Sequence, residues 1–201
     1  MSNILLIATR NAHKLQEIRE IFALPGVEIR GADEIPGLPE VEEDGTTFEE
    51  NALKKARALA AASGCWTMAD DSGLEVDALG GAPGVYSARY AGVHADNAAN
   101  NRKLLAALEG VENRAARFRC ALALVAPDGR EWTIDGRCEG RIAHALAGTG
   151  GFGYDPLFIP DGHKNSFAEL SAEEKNAISH RGRALAKVKE LLEAQRSTAA
   201  V

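Results

Sequence analysis

Apolar residues recur along this chain in two rhythms, and the changes from one to the other mark its elements. Residues 3–8 form a short apolar run that predicts a strand. Leu15, Ile18, Ile21 and Phe22 then recur at three- and four-residue spacing, the period of a helix with one buried face. The chain therefore opens with a strand, a turn and a helix, and Pro25-Gly26 ends that helix. Residues 27–30 suggest a second strand, and residues 33–45 an acidic, proline-containing loop.

A long helix is expected to begin near Thr46 or Thr47, since each is followed three residues later by a glutamate, Glu49 or Glu50. Its alanine-rich body continues to Gly64. Residues 65–69 form a strand that delivers Asp70, Asp71, Ser72 and Gly73 into an expected tight turn, and the alternation over residues 74–77 predicts a further extended piece. Residues 96–110 have an aspartate cap and a terminal glycine around a helical pattern. Residues 115–126 and 131–139 flank Pro127-Asp128-Gly129 as a hairpin, which makes the middle of the chain antiparallel. A glycine-rich loop over 148–155, a short strand over 157–159 and a helix over 183–195 complete the pattern. No repeat or linker divides it, so residues 1–195 are expected to form a single domain, with 196–201 a frayed tail.

The composition is that of one globular domain or two packed lobes: 201 residues, 45% hydrophobic and 26% charged. A formal net charge of -6 argues against broad electrostatic capture of nucleic acid, which needs a continuous basic surface, but leaves room for a small anion held by a few local cations. Cys65, Cys120 and Cys138 contain no CxxC pair and would leave one thiol over in any disulfide scheme, so a reducing, cytoplasmic setting and a packing role are expected. No apolar run is long enough for a secretory signal or a membrane span, so no membrane association is expected.

Five segments carry candidate chemistry. Thr9, Arg10, Asn11, Ala12, His13 and Lys14 join a strand to a helix N-terminus, where backbone N–H groups and the helix dipole favour an anion. The alternative is that Asn11 caps the helix and Lys14 is solvated. Glu42-Glu43-Asp44 and Asp70-Asp71 are separated by one helix and one strand, so both can meet at one sheet edge and share a cation. Such a sparse carboxylate set suits Mg²⁺, which fills its other positions with water and phosphate. Asp71 can serve as ligand or as acceptor of a proton from water. Phe152 and Tyr154 can offer a ring to a flat base, and the backbone or Asp155 can read its polar edges; otherwise the loop is a bend with its aromatics in the core. Ser171 and Glu174 have capping-box spacing, and Lys175, His180 and Arg181 converge only if Ser179 starts a new helix.

These segments together resemble the inosine triphosphate pyrophosphatase family, also called non-canonical purine NTP or dITP/XTP pyrophosphatases. The likeness spans nearly the whole chain: TRNAHKLQEI, EEDGTTFEENALKKA, ADDSGLEVDALGGAPGVYSARYAG, GTGGFGYDPLF and EEKNAISHRGRAL occur in that order. It implies an α/β fold, elongated and two-lobed, with a mixed, strongly twisted sheet flanked by helices and a central cleft. It implies a homodimer that takes a small-molecule nucleoside triphosphate. By the same likeness, Thr9 to Lys14, with Asn11 and Lys14 on a T-x-N-x-x-K pattern, contact the nucleotide. Glu42 and Asp71 bind Mg²⁺, with Glu43 a close competitor for the Glu42 role; Asp71 accepts the proton and Ser72 touches substrate. Phe152, Gly153, Tyr154 and Asp155 surround the base, and Lys175, His180 and Arg181 bind phosphate or the purine edge.

The reaction implied is water attack on the α-phosphorus of ITP, dITP or XTP, giving the monophosphate and pyrophosphate. His180 and Arg181 are the residues expected to discriminate the 6-oxo group. Two alternatives stand beside this reading: a metal-dependent hydrolase of canonical or pyrimidine nucleotides, and a regulatory nucleotide binder without turnover.

Overall fold

The structure, a computed structural model, describes residues 3–198. Its elements in chain order are β1 (Ile4–Ile7), α1 (Ala12–Ile21), β2 (Glu28–Gly31), α2 (Phe48–Ser63), β3 (Trp66–Val76), α3 (Asn97–Ala107), β4 (Ala115–Val125), β5 (Glu131–Ile142), β6 (Phe158–Pro160), α4 (Ala172–Ile178) and α5 (His180–Thr198). Short 3-10 turns cover Ala32–Glu34, Asp77–Leu79 and Gly84–Arg89. The expected tail over 196–201 divides: α5 continues through Thr198, and residues 199–201 lie outside the described residues.

The strands form one sheet in the order β2-β1-β3-β4-β5-β6. β1 runs parallel to both neighbours, with Ile4 opposite Glu28 and Leu5 opposite Trp66, whereas β5 and β6 are antiparallel, with Gly140 opposite Pro160. Parallel neighbours need a crossover connection, and α1 and α2 supply the two. The connection over residues 126–130 is too short for a crossover, so β4 and β5 pair as the expected hairpin. The sheet is therefore mixed, as the resemblance implies.

Local signals set the helix ends. Thr47 caps α2: its side chain accepts from Glu50 N, and the Glu50 carboxylate accepts from Thr47 N, a complete capping box. Gly64 ends the helix in the left-handed region at φ 66°. Ser171 and Glu174 form the same reciprocal pair at the start of α4. Ser179 then separates α4 from α5, with extended backbone at ψ 156°.

One element differs from expectation. Residues 70–73 do not turn; they lie inside the unbroken strand β3. β3 pairs with β1 over Trp66–Met68 and neighbours β4 on its other side; beyond Met68 side chains meet its backbone, Lys55 Nζ donating to the Asp70 carbonyl at 2.8 Å and Ser87 Oγ accepting from Leu74 N at 2.9 Å. The carboxylates that suggested a turn are accommodated by partners from helices.

The chain divides into two units. The first comprises residues up to Asp71, Cys120–Gly136 and those from Arg181 onward; the second comprises Ser72–Arg119 and Arg137–His180. The first unit's core packs Leu5 and Ile7 of β1, Ile18 of α1 and Phe22 just after it against Met68, Leu122 and Leu124 of the sheet and Leu185, Val188 and Leu192 of α5. The second unit's core gathers Leu74 and Val76, Leu104 of α3, Phe118, Ile142, Tyr154, Leu157, Phe158 and Phe167. All three cysteines are buried free thiols, consistent with a packing role. Among the described residues no helix is long and apolar enough to cross a membrane.

Candidate active site

In the first unit the candidate residues gather around the middle of β3. Successive side chains of a strand point to opposite faces, so Asp70 and Asp71 cannot act as one pair. Asp70 is fully buried and committed to cations: Lys14 Nζ lies 2.6 Å from Oδ1 and Arg181 Nε 2.9 Å from Oδ2. The Cys120 thiol donates to Oδ2 over 3.2 Å. Burial pushes the Asp70 carboxyl up, but the charges of Arg181 and Lys14 outweigh it and hold the group well below the usual carboxylate range. Burial and the nearby Asp70 carboxylate act in the same way on the Cys120 thiol and push it well up, so it is no thiolate nucleophile.

Asp71 faces α2. Its Oδ2 accepts from Asn51 Nδ2 at 3.0 Å, and burial raises its carboxyl above the ordinary value against the opposing pull of Lys55 and Lys14; Glu43 adds to the rise. Asn51 and Lys55 lie one helical turn apart on the same face of α2 and hold the acidic loop from two points. Asn51 Oδ1 accepts the N–H of Gly45 at 2.8 Å; Lys55 Nζ donates to Glu43 Oε1 at 2.5 Å and to the carbonyl of Asp70 at 2.8 Å. A Cβ on Gly45 would sit 2.7 Å from Asn51 Oδ1, so the close approach requires glycine. Glu43 is thus half-buried within the electrostatic reach of Asp71, while Glu42 and Asp44 are exposed, Asp44 pairing with Lys54.

The expected anion turn is partly occupied by its own residues. Asn11 does cap α1, its Oδ1 accepting from His13 N at 3.0 Å and Lys14 N at 3.2 Å, and Thr9 Oγ1 accepts from Asn11 N. Lys14, however, is not the solvated alternative: it sits on Asp70, and Asp70 raises its ammonium pKa despite the opposing effect of burial. Arg10 pairs with Glu40 at 2.8 Å; residues 10–13 are exposed.

In the second unit the glycine-rich loop closes on itself. Asp155 Oδ2 accepts from Phe152 N at 2.8 Å and Lys175 Nζ at 2.7 Å, so this carboxylate braces the loop rather than projecting from it. A Cβ on Gly151, at φ +67°, would fall 2.1 Å from that same Oδ2. The two aromatics part company. Tyr154 is buried, its hydroxyl donating to Ser87 O at 2.9 Å, and burial raises its pKa; Phe152 is half-exposed with Lys175 Nζ 5.2 Å from its ring centroid. His180 stacks on Phe118 at 4.8 Å. Ser72 is half-buried on β3.

Of the late cluster, Lys175 and His180 belong to the second unit, while Arg181 belongs to the first, where it binds Asp70 and Glu17. The residues that reading by motif passed over are Asn51 and Lys55. Their signal was present: an amide and an ammonium at i and i+4 on the face of α2 that also carries the buried Ala52, Ala56 and Leu59.

The first unit is thus of a mixed α/β class that sets a carboxylate at mid-strand beside lysines from two helices, an arrangement able to hold a polyanion, and the second carries a braced glycine-aromatic loop. The chain belongs to the Ham1 family, whose model matches residues 5–191. It is 55% identical over 190 residues to the dITP/XTP pyrophosphatase of Desulforamulus reducens, covering 94% of each chain. Among solved structures it is similar to the Staphylococcus aureus Ham1 protein, with TM-score 0.86 and 41% identity over 96% of this chain and 99% of that one. The nucleoside-triphosphatase/dITP/XTP pyrophosphatase of Mycobacterium abscessus is 49% identical, with TM-score 0.76, over 92% of this chain and 98% of that one.

Proposed function

We propose that this protein hydrolyses non-canonical purine nucleoside triphosphates (ITP, dITP and XTP) to the monophosphate and pyrophosphate, cleansing the nucleotide pool. The observation that carries the reading is Asp71, a carboxylate fixed by Asn51, raised in pKa and in electrostatic reach of Lys14, Lys55 and Glu43. A carboxylate with a raised pKa is a better proton acceptor than an ordinary one. The relatives' names and the identity over most of each chain support the same substrate class.

In the proposed reaction a water oxygen attacks the α-phosphorus, the bond from that phosphorus to the bridging α–β oxygen breaks, and pyrophosphate leaves. Asp71 orients the water and takes its proton. Asn51 keeps the carboxylate in one orientation, and Lys14 and Lys55 offset charge on the triphosphate. Thr9 and residues 10–13 bind phosphate oxygens through the exposed turn, and Ser72 contacts substrate. Phe152, with Gly153 and Tyr154 behind it, takes the base; Lys175 and His180 flank it, while Arg181 serves Asp70.

The residues present fit a hard cation. Glu43 lies within electrostatic reach of Asp71 and adds to the rise of its carboxyl, and one or two protein carboxylates are what Mg²⁺ uses beside water and substrate phosphate. Bound there, Mg²⁺ would supply Lewis-acid neutralisation of the triphosphate charge. Asp71 and the acidic pair Glu42-Glu43 would hold it, with Glu43 the better placed of the two. A cytoplasmic homodimer completes the proposal.

Purified protein with Mg²⁺ is to be incubated with ITP, XTP, dITP, GTP and ATP in ¹⁸O-water, with Asp71→Asn as control. Pyrophosphate release favouring ITP, XTP and dITP, with label in the monophosphate and loss in the control, is the expected result. Orthophosphate release, label in pyrophosphate or a canonical preference would overturn it.

A further inference from the structure

Two asparagines stand side by side in α3, and both are buried: Asn100 is 2% and Asn101 6% exposed. Asparagine is a poor helix former, and a buried amide is costly unless matched, so each position calls for a reason. Asn100 has a local one. Its Oδ1 accepts from Ala91 N at 2.7 Å and its Nδ2 reaches the carbonyls of Ala88 at 3.3 Å and Ser87 at 3.4 Å, fastening the Gly84–Arg89 turn to the helix.

Asn101 reaches much further along the chain. Its Nδ2 donates to the carbonyl of Gly153 at 3.0 Å, in the middle of the glycine-rich loop. Its Oδ1 is buried and finds no hydrogen-bond partner among the described residues. Rotating the amide would set Oδ1 against the Gly153 carbonyl, so the orientation is determined by that contact. As a stabilising device this is poor, because an orphaned buried acceptor offsets what the single bond contributes. What the bond does is hold one peptide of the loop, at a residue in the left-handed region with φ +63°.

We infer that Asn101 is a positioning residue for base recognition, fixing the Gly153 carbonyl and thereby the pose of Phe152 on one side and Tyr154 on the other. The inference rests on the base-binding role given to this loop above. Other restraints on the loop include Phe152 N and Lys175 Nζ on the Asp155 carboxylate, Gly150 N on the Ala168 carbonyl and Tyr154 Oη on Ser87 O; the last carbonyl is shared with Asn100. α3 therefore grips the loop directly through Asn101 and indirectly through Ser87. Sites where a sequence breaks a local rule without a gain in stability are where function is to be sought.

The test uses the full-length protein and two substrates, ITP and ribose 5-triphosphate, which carries the same phosphates without a base. In Asn101→Leu, which fills similar volume without a donor, KM for ITP is expected to rise about tenfold, the scale of one lost buried hydrogen bond. Turnover of ribose 5-triphosphate should stay within about twofold, and the thermal midpoint should hold, because the orphaned Asn101 oxygen is lost as the Gly153 carbonyl loses its donor. Asn101→Ser reads the same ratio should the leucine variant not fold. Equal losses on both substrates, or an unchanged KM for ITP, would overturn the positioning role while leaving the pyrophosphatase reading intact. A wild-type protein inactive on ITP would overturn that reading, and this inference with it.

Discussion

Asn51 holds Asp71 with one end of its amide and the acidic loop with the other: Nδ2 donates to Asp71 Oδ2 at 3.0 Å, and Oδ1 accepts from Gly45 N at 2.8 Å. At 1% exposure the amide has no competing water, so the contact sets the carboxylate's orientation. Asn51→Ala should lower kcat for ITP by about 10- to 100-fold, the usual effect of losing such a supporting partner. Asn51→Asp should be worse, since it sets a second carboxylate against Asp71. Steady-state pyrophosphate release decides it; a kcat unchanged within twofold would remove Asp71 from the proposed role or Asn51 from its support.

Glu42 and Glu43 can be told apart by metal dependence. Glu43 lies beside Lys55 and within the electrostatic reach of Asp71, whereas Glu42 is exposed. Chelation should abolish turnover and added Mg²⁺ restore it. Glu43→Gln should raise the half-activating Mg²⁺ concentration by about tenfold and Glu42→Gln by less than about twofold. The reverse order would return the ligand role to Glu42.

Asp70 makes a stability prediction with a definite sign. Its carboxyl is raised by burial but lowered more by Arg181 and Lys14, so the folded chain binds this proton less readily than the unfolded one. Stability from this group is therefore present above the unfolded value, about pH 4, and is lost as pH falls through the lower folded value. Asp70→Asn leaves buried cations with less compensation and should cost about 3 to 5 kcal/mol at neutral pH. Urea denaturation across pH should show wild type and variant converging below about pH 4; a gap that stays constant would show that charge is not the cause.

Gly151 tests the brace of the loop. At φ +67°, with a Cβ falling 2.1 Å from Asp155 Oδ2, Gly151→Ala strains the backbone and pushes the carboxylate off Phe152 N. The expected loss is about 1 to 3 kcal/mol of stability, with a raised KM for ITP. Gly162→Ala is the control: its φ is also positive, at +81°, but nothing lies within 4 Å of the added Cβ. Equal effects on KM would mean that the Asp155 brace does not matter for binding.

Much of this was legible in the chain because the signals were local. The periodicity of Leu15, Ile18 and Phe22, the Thr47–Glu50 capping box and the short 126–130 connection each act within one element, so spacing alone determines them. What spacing could not settle was the direction of side chains and the identity of their partners. An apolar run ending in Asp70, Asp71, Ser72 and Gly73 suggests a turn; only the fold shows Lys14 and Arg181, distant in sequence, neutralising one carboxylate while Asn51 orients the other. The glycine-rich loop leaves open whether Asp155 and Tyr154 meet a base or the core, and only tertiary contacts show Asp155 paired with Lys175 and the Tyr154 hydroxyl on the Ser87 carbonyl. Local propensity and pattern are written in neighbouring residues, whereas charge compensation and hydrogen-bond partnership depend on which distant residues the packed chain brings within about 3 Å.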